Sequence, residues 1–519
     1  MKELSAGKKE TLKVGAVTFV ANIIGKLISI PVGIFVAGFL GPASYGILAI
    51  VNQTKTILGY GNLGMLLNLT RELPIAYGRK DFQEAQVIKD VVFTNYTITT
   101  ALGLVVLWGL SKVQIIPEAT LDIYLLLFVT GLVITSNVDS FLHTYIKGEG
   151  RFMIFGQYEF VNKLANPILT LVSVYFFGLY GMIGAMITTH MVGSAYTLSR
   201  IGNPKINFRL DFSKTKVLLS TSVFMYLNKL LDTFLISISI LIAGVFFPLS
   251  QVGILSYALV IASTSQIPFA DIFAMTTDRH MAFHSGQLGP DSYSSYAKYL
   301  ELPLVMFSLL SSTILGLIVI FYSYTVEIFL QKYISSLPMF IVLYFAMIFY
   351  NTRHFVYSYI NATRQMNKRS IYLVIGLLMN VVIALGLITL GTGVISIVYS
   401  LVISFVFISA SSIWLVFKQV YENFRAAAIF LVKILLIACC LTLLLYFLTR
   451  IKLVSIAEVV DGNFSSSIFA IFELIFKLVL FTLSSFVIFS YIFKDYKVIN
   501  EIKIYASYFY NKLKIKLGT

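Results

Sequence analysis

Residues 15–40 read GAVTFVANIIGKLISIPVGIFVAGFL, a run of mostly apolar residues that is interrupted near its middle by Lys26. A helix that crosses a bilayer needs about 20 mostly apolar residues, so this run is long enough to span. An ionised side chain near the centre of a span costs about 3 kcal/mol, and such charges are kept mainly where a protein uses them. The run therefore predicts a membrane helix with one side turned toward a polar interior.

The same pattern recurs along the whole chain. Its 519 residues are 58% hydrophobic and 12% charged, with a mean hydropathy of +0.86, whereas soluble domains carry about 25% charged residues. Backbone in lipid must be hydrogen-bonded internally, and these runs lack the alternation of barrel strands, so we predict helices. The fourteen predicted spans are 15–40, 44–68, 90–110, 120–145, 152–177, 179–199, 217–246, 251–275, 299–322, 337–360, 370–390, 392–417, 426–449 and 467–493.

The connections between these spans alternate in charge. Segments predicted to face the cytoplasm hold 28 Lys and Arg residues, and the segments predicted to face outward hold 4. Positive residues concentrate on the cytoplasmic side of membrane proteins, so both termini are predicted to lie in the cytoplasm. The net charge of +15 follows from this topology and from attraction to anionic headgroups. We therefore expect membrane lipids, and not nucleic acid, as the partners of the basic residues.

The first and seventh spans end in similar strings. Residues 37–48 read AGFLGPASYGIL, and residues 243–255 read AGVFFPLSQVGIL, which contains one extra residue. Gly and Pro fall at matching helix ends, which favours an internal repeat over chance similarity. The matched pairs are Pro42 with Pro248, Ser44 with Ser250, Gly46 with Gly253 and Leu48 with Leu255.

The spacing of the two copies predicts the architecture. They lie six spans apart, an even number, so both enter the membrane in the same direction. Parallel repeats of this kind form two lobes that rock around a central cavity. The predicted fold class is all-α, a polytopic membrane protein with 14 transmembrane helices in two parallel six-helix lobes plus two C-terminal helices. The predicted domains are residues 1–200 (helices 1–6), 201–420 (helices 7–12) and 421–519 (two further helices and a basic cytoplasmic tail).

Two lysines lie close to the predicted bilayer midplane. Lys26 and Lys55 each lie about 11 residues, or roughly 16 Å, into their spans, and neither has an acidic neighbour on its own helix. An ammonium group without a carboxylate partner is suited to an anion such as a diphosphate. The alternative is a long-range ion pair with Asp232 or Glu159.

Other spans carry further charges. Glu159 and Lys163 are four residues apart near the middle of the fifth span, so they either serve the interior or neutralise each other. Asp232 lies deep in the seventh span. Asp271 and Arg353 lie nearer to the cytoplasmic ends of their spans, where a charged side chain can also extend to the headgroups.

The order of helices and the motif LGPASYG at Leu40–Gly46, with its degenerate copy at Pro248–Gly253, resemble one branch of a known superfamily. It is the polysaccharide-transporter branch of the multidrug/oligosaccharidyl-lipid/polysaccharide (MOP) exporter superfamily, which contains the O-antigen and capsule flippases. The resemblance covers essentially the whole chain.

The resemblance implies a function. Members of this branch flip undecaprenyl-diphosphate-linked oligosaccharides from the cytoplasmic to the outer leaflet of the bacterial inner membrane. It implies a cationic cavity, alternating access coupled to H⁺ or Na⁺, and a groove for the lipid tail at the last two helices. Polysaccharide polymerase machinery is a further candidate partner.

Candidate site residues rest on depth and charge and not on a family motif. The candidates for the diphosphate and sugar headgroup are Lys26, Lys55, Lys163 and Arg353. The candidates for ion coupling or gating are Glu159, Asp232 and Asp271.

Three alternatives remain at this point. A cation antiporter of the same superfamily would need an acidic cavity, and a lipid II flippase would need a cationic one. A membrane glycosyltransferase or polymerase would need carboxylates or arginines in substantial outward loops. The longest outward loops, near 323–336 and 450–466, contain only the carboxylates Glu327, Glu458 and Asp461. We therefore predict a transporter and not an enzyme. Residues 59–64 match the GxGxxG dinucleotide pattern, but they lie inside a predicted span with no preceding strand, so no cofactor is predicted, and the sequence contains no metal-ligand cluster.

Overall fold

Every regular element in the described part of the chain is a helix. The computed structural model describes residues 2–112, 123–202, 204–264, 297–362, 365–421, 424–451 and 464–494. The prediction of an all-α polytopic membrane protein is confirmed, and each of the fourteen predicted spans overlaps a helix. The helices are α1 (Lys2–Gly59), α2 (Met65–Gly78), α3 (Phe82–Leu110), α4 (Ile123–Gly148), α5 (Phe152–Ile201), α6 (Phe212–Phe246), α7 (Leu249–Thr264), α8 (Ala297–Phe329), α9 (Ser336–Ala362), α10 (Met366–Thr389), α11 (Ile395–Tyr421), α12 (Phe424–Arg450) and α13 (Phe464–Ile492).

Two long helices are each broken into two segments by a glycine. Among the described residues, 10 helices are long and apolar enough to cross a membrane, and α1 and α5 are twice the necessary length. Gly41 in α1 has φ 68° and ψ 169°, and Gly178 in α5 has φ 55° and ψ −130°. Side chains disfavour these conformations and glycine adopts them readily. Both breaks fall at the positions where the sequence predicted short outward turns.

The second span is shorter than predicted. Its helix ends at Gly59, and a 3₁₀ turn at Tyr60–Asn62 leads into the separate helix α2. The side chain of Asn62 donates to the carbonyl of Gly59 and accepts from the backbone N–H of Gly64 at 2.9 Å. Gly64 has a φ of 81°. The asparagine thus takes over hydrogen bonds that would otherwise continue the helix.

The described chain contains two compact units. The first consists of residues 1–257 with 381–397, and the second of 258–380 with 398–519. In the first unit, α2, α3 and α4 share a core that includes Leu69, Val91 and Ile146, none of which has accessible surface. In the second unit, α8 packs on α9 and α13. The lobe boundaries at residues 200 and 420 stay a prediction.

The two copies of the repeat contact each other within the first unit. A Cβ atom at Gly46 would overlap the backbone carbonyl of Leu249, and one at Gly253 would overlap the carbonyl of Pro42. Each glycine also lies close to the backbone nitrogen of the other. The start of α7 therefore packs on α1 at backbone-to-backbone distance, which only glycine permits at these two positions.

Candidate functional site

A cluster of polar and charged side chains lies between α4 and α5 in the first unit. Its centre is Glu159, on the first segment of α5. One carboxylate oxygen, Oε2, is 2.8 Å from Lys163 Nζ, and the other, Oε1, is 2.8 Å from His143 Nε2 on α4. The structure thus brings together two residues that the sequence assigned separately to ion coupling and to the headgroup. The side chains of Glu159 and Lys163 are 18% and 32% exposed, so protein does not fully enclose the pair.

Asp139 forms a second carboxylate site one turn away from His143 on α4. Its Oδ2 accepts a hydrogen bond from the Tyr158 hydroxyl at 2.6 Å and contacts His190 Nδ1 at 3.0 Å. Ser194 donates to Oδ1 at 3.5 Å. Asp139 is 5% exposed, and His190 is its only basic partner among the described residues. Asp139 and His190 thus form a carboxylate–histidine pair between α4 and α5.

Glycines hold the helices of this cluster close together. A Cβ atom on Gly193 of α5 would lie 2.7 Å from the Tyr158 ring and 2.9 Å from Asp139 Oδ1. One on Gly25 of α1 would lie 2.9 Å from Lys163 Cβ. The backbone of α1 therefore covers the stem of Lys163. Lys26 follows Gly25 in the same helix, and its side chain lies outside the described residues.

Lys55 differs from Lys163 in its surroundings. It is partly buried in the second segment of α1, and among the described residues its ammonium group has no hydrogen bond and no ion pair. The long-range pair with Glu159 or Asp232 that the sequence left open is therefore not formed. Gly59, one turn further along α1, faces Asn137 of α4, whose Oδ1 would lie 4.0 Å from an added Cβ.

Asp232 is partly buried on α6, which packs on α1. The neighbouring Thr233 hydroxyl lies 2.6 Å from the Tyr60 hydroxyl. Ser237, one turn further, donates to Gln53 at 2.7 Å. These contacts make the α1–α6 interface polar.

The second unit contains a stack of arginines and tyrosines. Arg353 on α9 is 1% exposed, and its guanidinium carbon lies 3.5 Å from the centre of the Tyr350 ring and 5.0 Å from that of Tyr357. Arg369 on α10 lies 3.3 Å from the centre of the Tyr357 ring. From the sequence, Arg369 was predicted to lie in a cytoplasmic segment and was not among the candidate site residues. The spacing of Arg353 and Tyr357 by four residues was the available signal. Asp271 lies outside the described residues.

A separate charged cluster lies next to α2, at the turn between α4 and α5. Glu149 accepts hydrogen bonds from Tyr77 at 3.2 Å and Tyr145 at 2.6 Å, and it pairs with Arg151 at 2.9 Å. Burial, followed by the nearby Glu149 carboxylate, raises the pKa of Tyr77 to about 12. The cluster joins α2 to the end of α4. Among the described residues, no group of three or more His, Cys, Asp or Glu side chains could hold a metal ion.

Comparison with known proteins identifies the fold. No protein-family model and no curated protein sequence matches the chain. Solved structures match it over most of their length. An inward-facing multidrug resistance MATE family transporter of the MOP superfamily covers 78% of this chain and 98% of its own, with a TM-score of 0.60 and 13% identity. The lipid II flippase MurJ, in an inward closed conformation, covers 93% of this chain and 98% of its own, with a TM-score of 0.60 and 13% identity.

A eukaryotic MATE transporter, AtDTX14, extends the comparison. It covers 83% of this chain and 99% of its own, with a TM-score of 0.54 and 14% identity. At these identities the likeness concerns the fold. The chain therefore has the multi-pass helical fold of the transporters of the MOP superfamily.

Proposed function

We propose that this protein is a flippase for undecaprenyl-diphosphate-linked oligosaccharide repeat units. It moves them from the cytoplasmic to the outer leaflet of the bacterial inner membrane for cell-surface polysaccharide synthesis of the O-antigen or capsule type. Both termini lie in the cytoplasm, and the polysaccharide polymerase machinery receives the product. The observation that carries the proposal is Lys55, an ammonium group within a span that has no carboxylate partner among the described residues.

The chemistry of Lys55 favours an anionic substrate. A buried cation without a counter-charge repels organic cations, which argues against the multidrug antiporter. A diphosphate supplies the missing negative charge and several acceptor oxygens. In this proposal Lys26 and Lys55 are the headgroup contacts of the first unit, and Arg353 is the candidate in the second unit.

The Glu159–Lys163 pair links substrate binding to protons. While Glu159 is ionised it neutralises Lys163 at 2.8 Å. A proton on Glu159 or His143 releases the ammonium group for the diphosphate, so proton uptake and substrate binding favour each other. Asp139 with His190 provides a second proton site in the same cluster. Asp232 and Asp271 are the remaining candidates for coupling or gating, and Na⁺ is the alternative coupling ion.

A lipid II flippase is the second candidate. The structural match to MurJ extends over more of this chain than the matches to the MATE transporters do. That substrate also carries a diphosphate, so the same lysines would serve it.

The test is flipping in proteoliposomes with three substrates: an undecaprenyl-diphosphate oligosaccharide, lipid II and an organic cation. The Lys55→Ala variant loses a charged contact to the diphosphate, so it should flip the substrate about tenfold more slowly than wild type. Lys229→Ala is the matched control, because Lys229 is an exposed lysine on α6 of the same unit, and its rate should stay within about twofold. Equal rates for wild type and Lys55→Ala would contradict the proposed site, and transport of the cation alone would overturn the flippase.

A further inference from the structure

The segment at residues 204–211, here called the strap, joins α5 to α6 in an extended conformation and is fixed to α3. The backbone N–H of Asn207 donates to Asp90 Oδ1 at 2.8 Å, and that of Arg209 donates to Thr94 Oγ1 at 2.7 Å. The carbonyl of Lys205 accepts from Gln86 at 2.6 Å. Side chains of α3 thus supply the partners that a neighbouring strand would supply. The strap is held in one position.

This fixed strap presents large apolar side chains outward. Phe208 is 61% exposed, Leu210 is 62% exposed and Phe212, the first residue of α6, is 82% exposed. They alternate with Arg209 and Asp211 along the chain. The apolar spans on either side are Phe152–Ile201 and Tyr226–Phe246, so these three residues lie outside both. Exposed apolar groups that cluster in this way mark an interaction surface.

The same surface is basic. Lys205 and Lys216 are exposed, and neither forms an ion pair with another described residue. Arg209 lies 3.7 Å from Asp211, and Lys214 pairs with Glu84 of α3. Residues 204–216 therefore contain four cations and one carboxylate.

Position in the chain indicates which partner this surface meets. The helices on either side of the strap, α5 and α6, contain membrane spans, so the strap cannot move far from the membrane surface. A segment that combines aromatic and aliphatic side chains with lysines binds at the boundary between headgroups and acyl chains. Unpaired lysines there attract anionic headgroups.

We propose that the strap is a membrane-surface anchor. Phe208, Leu210 and Phe212 insert into the headgroup region of the cytoplasmic leaflet, and Lys205 and Lys216 bind anionic phospholipid there. The anchor fixes the connection between the sixth and seventh spans at a constant depth. It requires neither the substrate nor a partner protein.

The first test places a fluorescent reporter on the strap. Phe208→Trp is made in the full-length chain with Trp108→Phe and Trp414→Phe, and the protein is reconstituted into vesicles of phosphatidylcholine and phosphatidylglycerol. We expect blue-shifted emission and stronger quenching by lipids brominated near the headgroup than by lipids brominated deep in the chain. Leu102→Trp is the matched control, because Leu102 is 59% exposed and lies eight residues, or about 12 Å, inside the end of α3, so it should show the opposite depth preference.

The second test separates charge from insertion. With brominated phosphatidylglycerol and brominated phosphatidylcholine as alternative quenchers, Lys205→Glu with Lys216→Glu should lower the preference for phosphatidylglycerol at least about fivefold. Lys112→Glu, at an exposed lysine predicted to face outward, should leave that preference unchanged.

Two outcomes would overturn the anchor. One is emission from Phe208→Trp at the wavelength of a tryptophan derivative in water, with no quenching by either lipid; the surface would then be free for a protein partner. The other is an equal preference for both lipids before and after charge reversal. If the variant without native tryptophans does not fold, the same quenching is measured as the difference between Phe208→Trp and wild type.

Discussion

Two glutamate–lysine pairs with the same spacing occur in very different surroundings. Glu159 and Lys163 in α5 are 2.8 Å apart with side chains 18% and 32% exposed, whereas Glu473 and Lys477 in α13 are 2.5 Å apart and 3% and 5% exposed. Both pairs connect successive turns of one helix. The spacing therefore predicts that the pair forms, and it does not predict what the pair can do.

The third partner of each pair accounts for the difference. Glu159 shares its carboxylate with His143 of the neighbouring helix α4. Lys477 donates instead to the carbonyl of Ile451 and lies 5.2 Å from the centre of the Tyr324 ring. Through these contacts the pair in α13 joins the last two helices to α8.

The largest expected effect is on the buried pair. Lys477→Met leaves Glu473 buried without its cation, and breaking a buried pair in this way costs about 3–5 kcal/mol of unfolding free energy. Adding Glu473→Leu should recover most of that loss. Reversible unfolding in bicelles measures both variants. A loss below about 1 kcal/mol for the single variant, or no recovery in the double variant, would contradict a tightly desolvated pair.

The second prediction concerns the proton role of the pair in α5. A pH gradient of one unit supplies about 1.4 kcal/mol of driving force per coupled proton and should accelerate flipping, and Glu159→Gln should abolish that acceleration while the protein stays folded. Glu473→Gln is the matched control and should keep the acceleration in whatever fraction folds. Flipping rates with and without the gradient give the ratio. An unchanged ratio in Glu159→Gln would assign coupling to another group, such as Asp139.

The smallest expected effect concerns His143 and Tyr324, which are the third partners of the two pairs. His143→Gln keeps a hydrogen-bonding side chain and should change the unfolding free energy by less than about 1 kcal/mol, yet it should flatten the pH dependence of flipping. Tyr324→Phe should have a stability effect of about 1 kcal/mol and leave the pH dependence as in wild type. Similar pH profiles for the two variants would remove His143 from the coupling site.

The sequence predicted the spans well because apolar length and loop charge are local properties. The glycine breaks at Gly41 and Gly178 were also predicted, since short uncharged joints between spans require a turn. The end of the second span was predicted wrongly. Residues 65–67 are apolar and extend the hydrophobic run of the predicted span to residue 68, and the hydrogen bonds of Asn62 that end the helix cannot be inferred from composition.

The contacts between different helices could not be predicted from the sequence. The pairing of Glu159 with Lys163 follows from spacing within one helix, but that of Asp139 with His190 joins positions 51 residues apart. Such a contact depends on how α4 and the second segment of α5 pack, which Gly193 determines. The stacking of Arg369 on Tyr357 likewise depends on the fold of the second unit.

The contact between Gly46 and Gly253 has a consequence for the history of the chain. The turns around the two glycines have diverged: Gly41 has a left-handed φ, whereas its counterpart Phe247 is extended, with a φ of −129°. Both copies keep the glycine, because at this position the backbone of each copy packs directly against the backbone of the other. If the copies arose by duplication, a substitution in one is tested immediately against the backbone of the other. The sequences of the two copies could then diverge everywhere except at this contact.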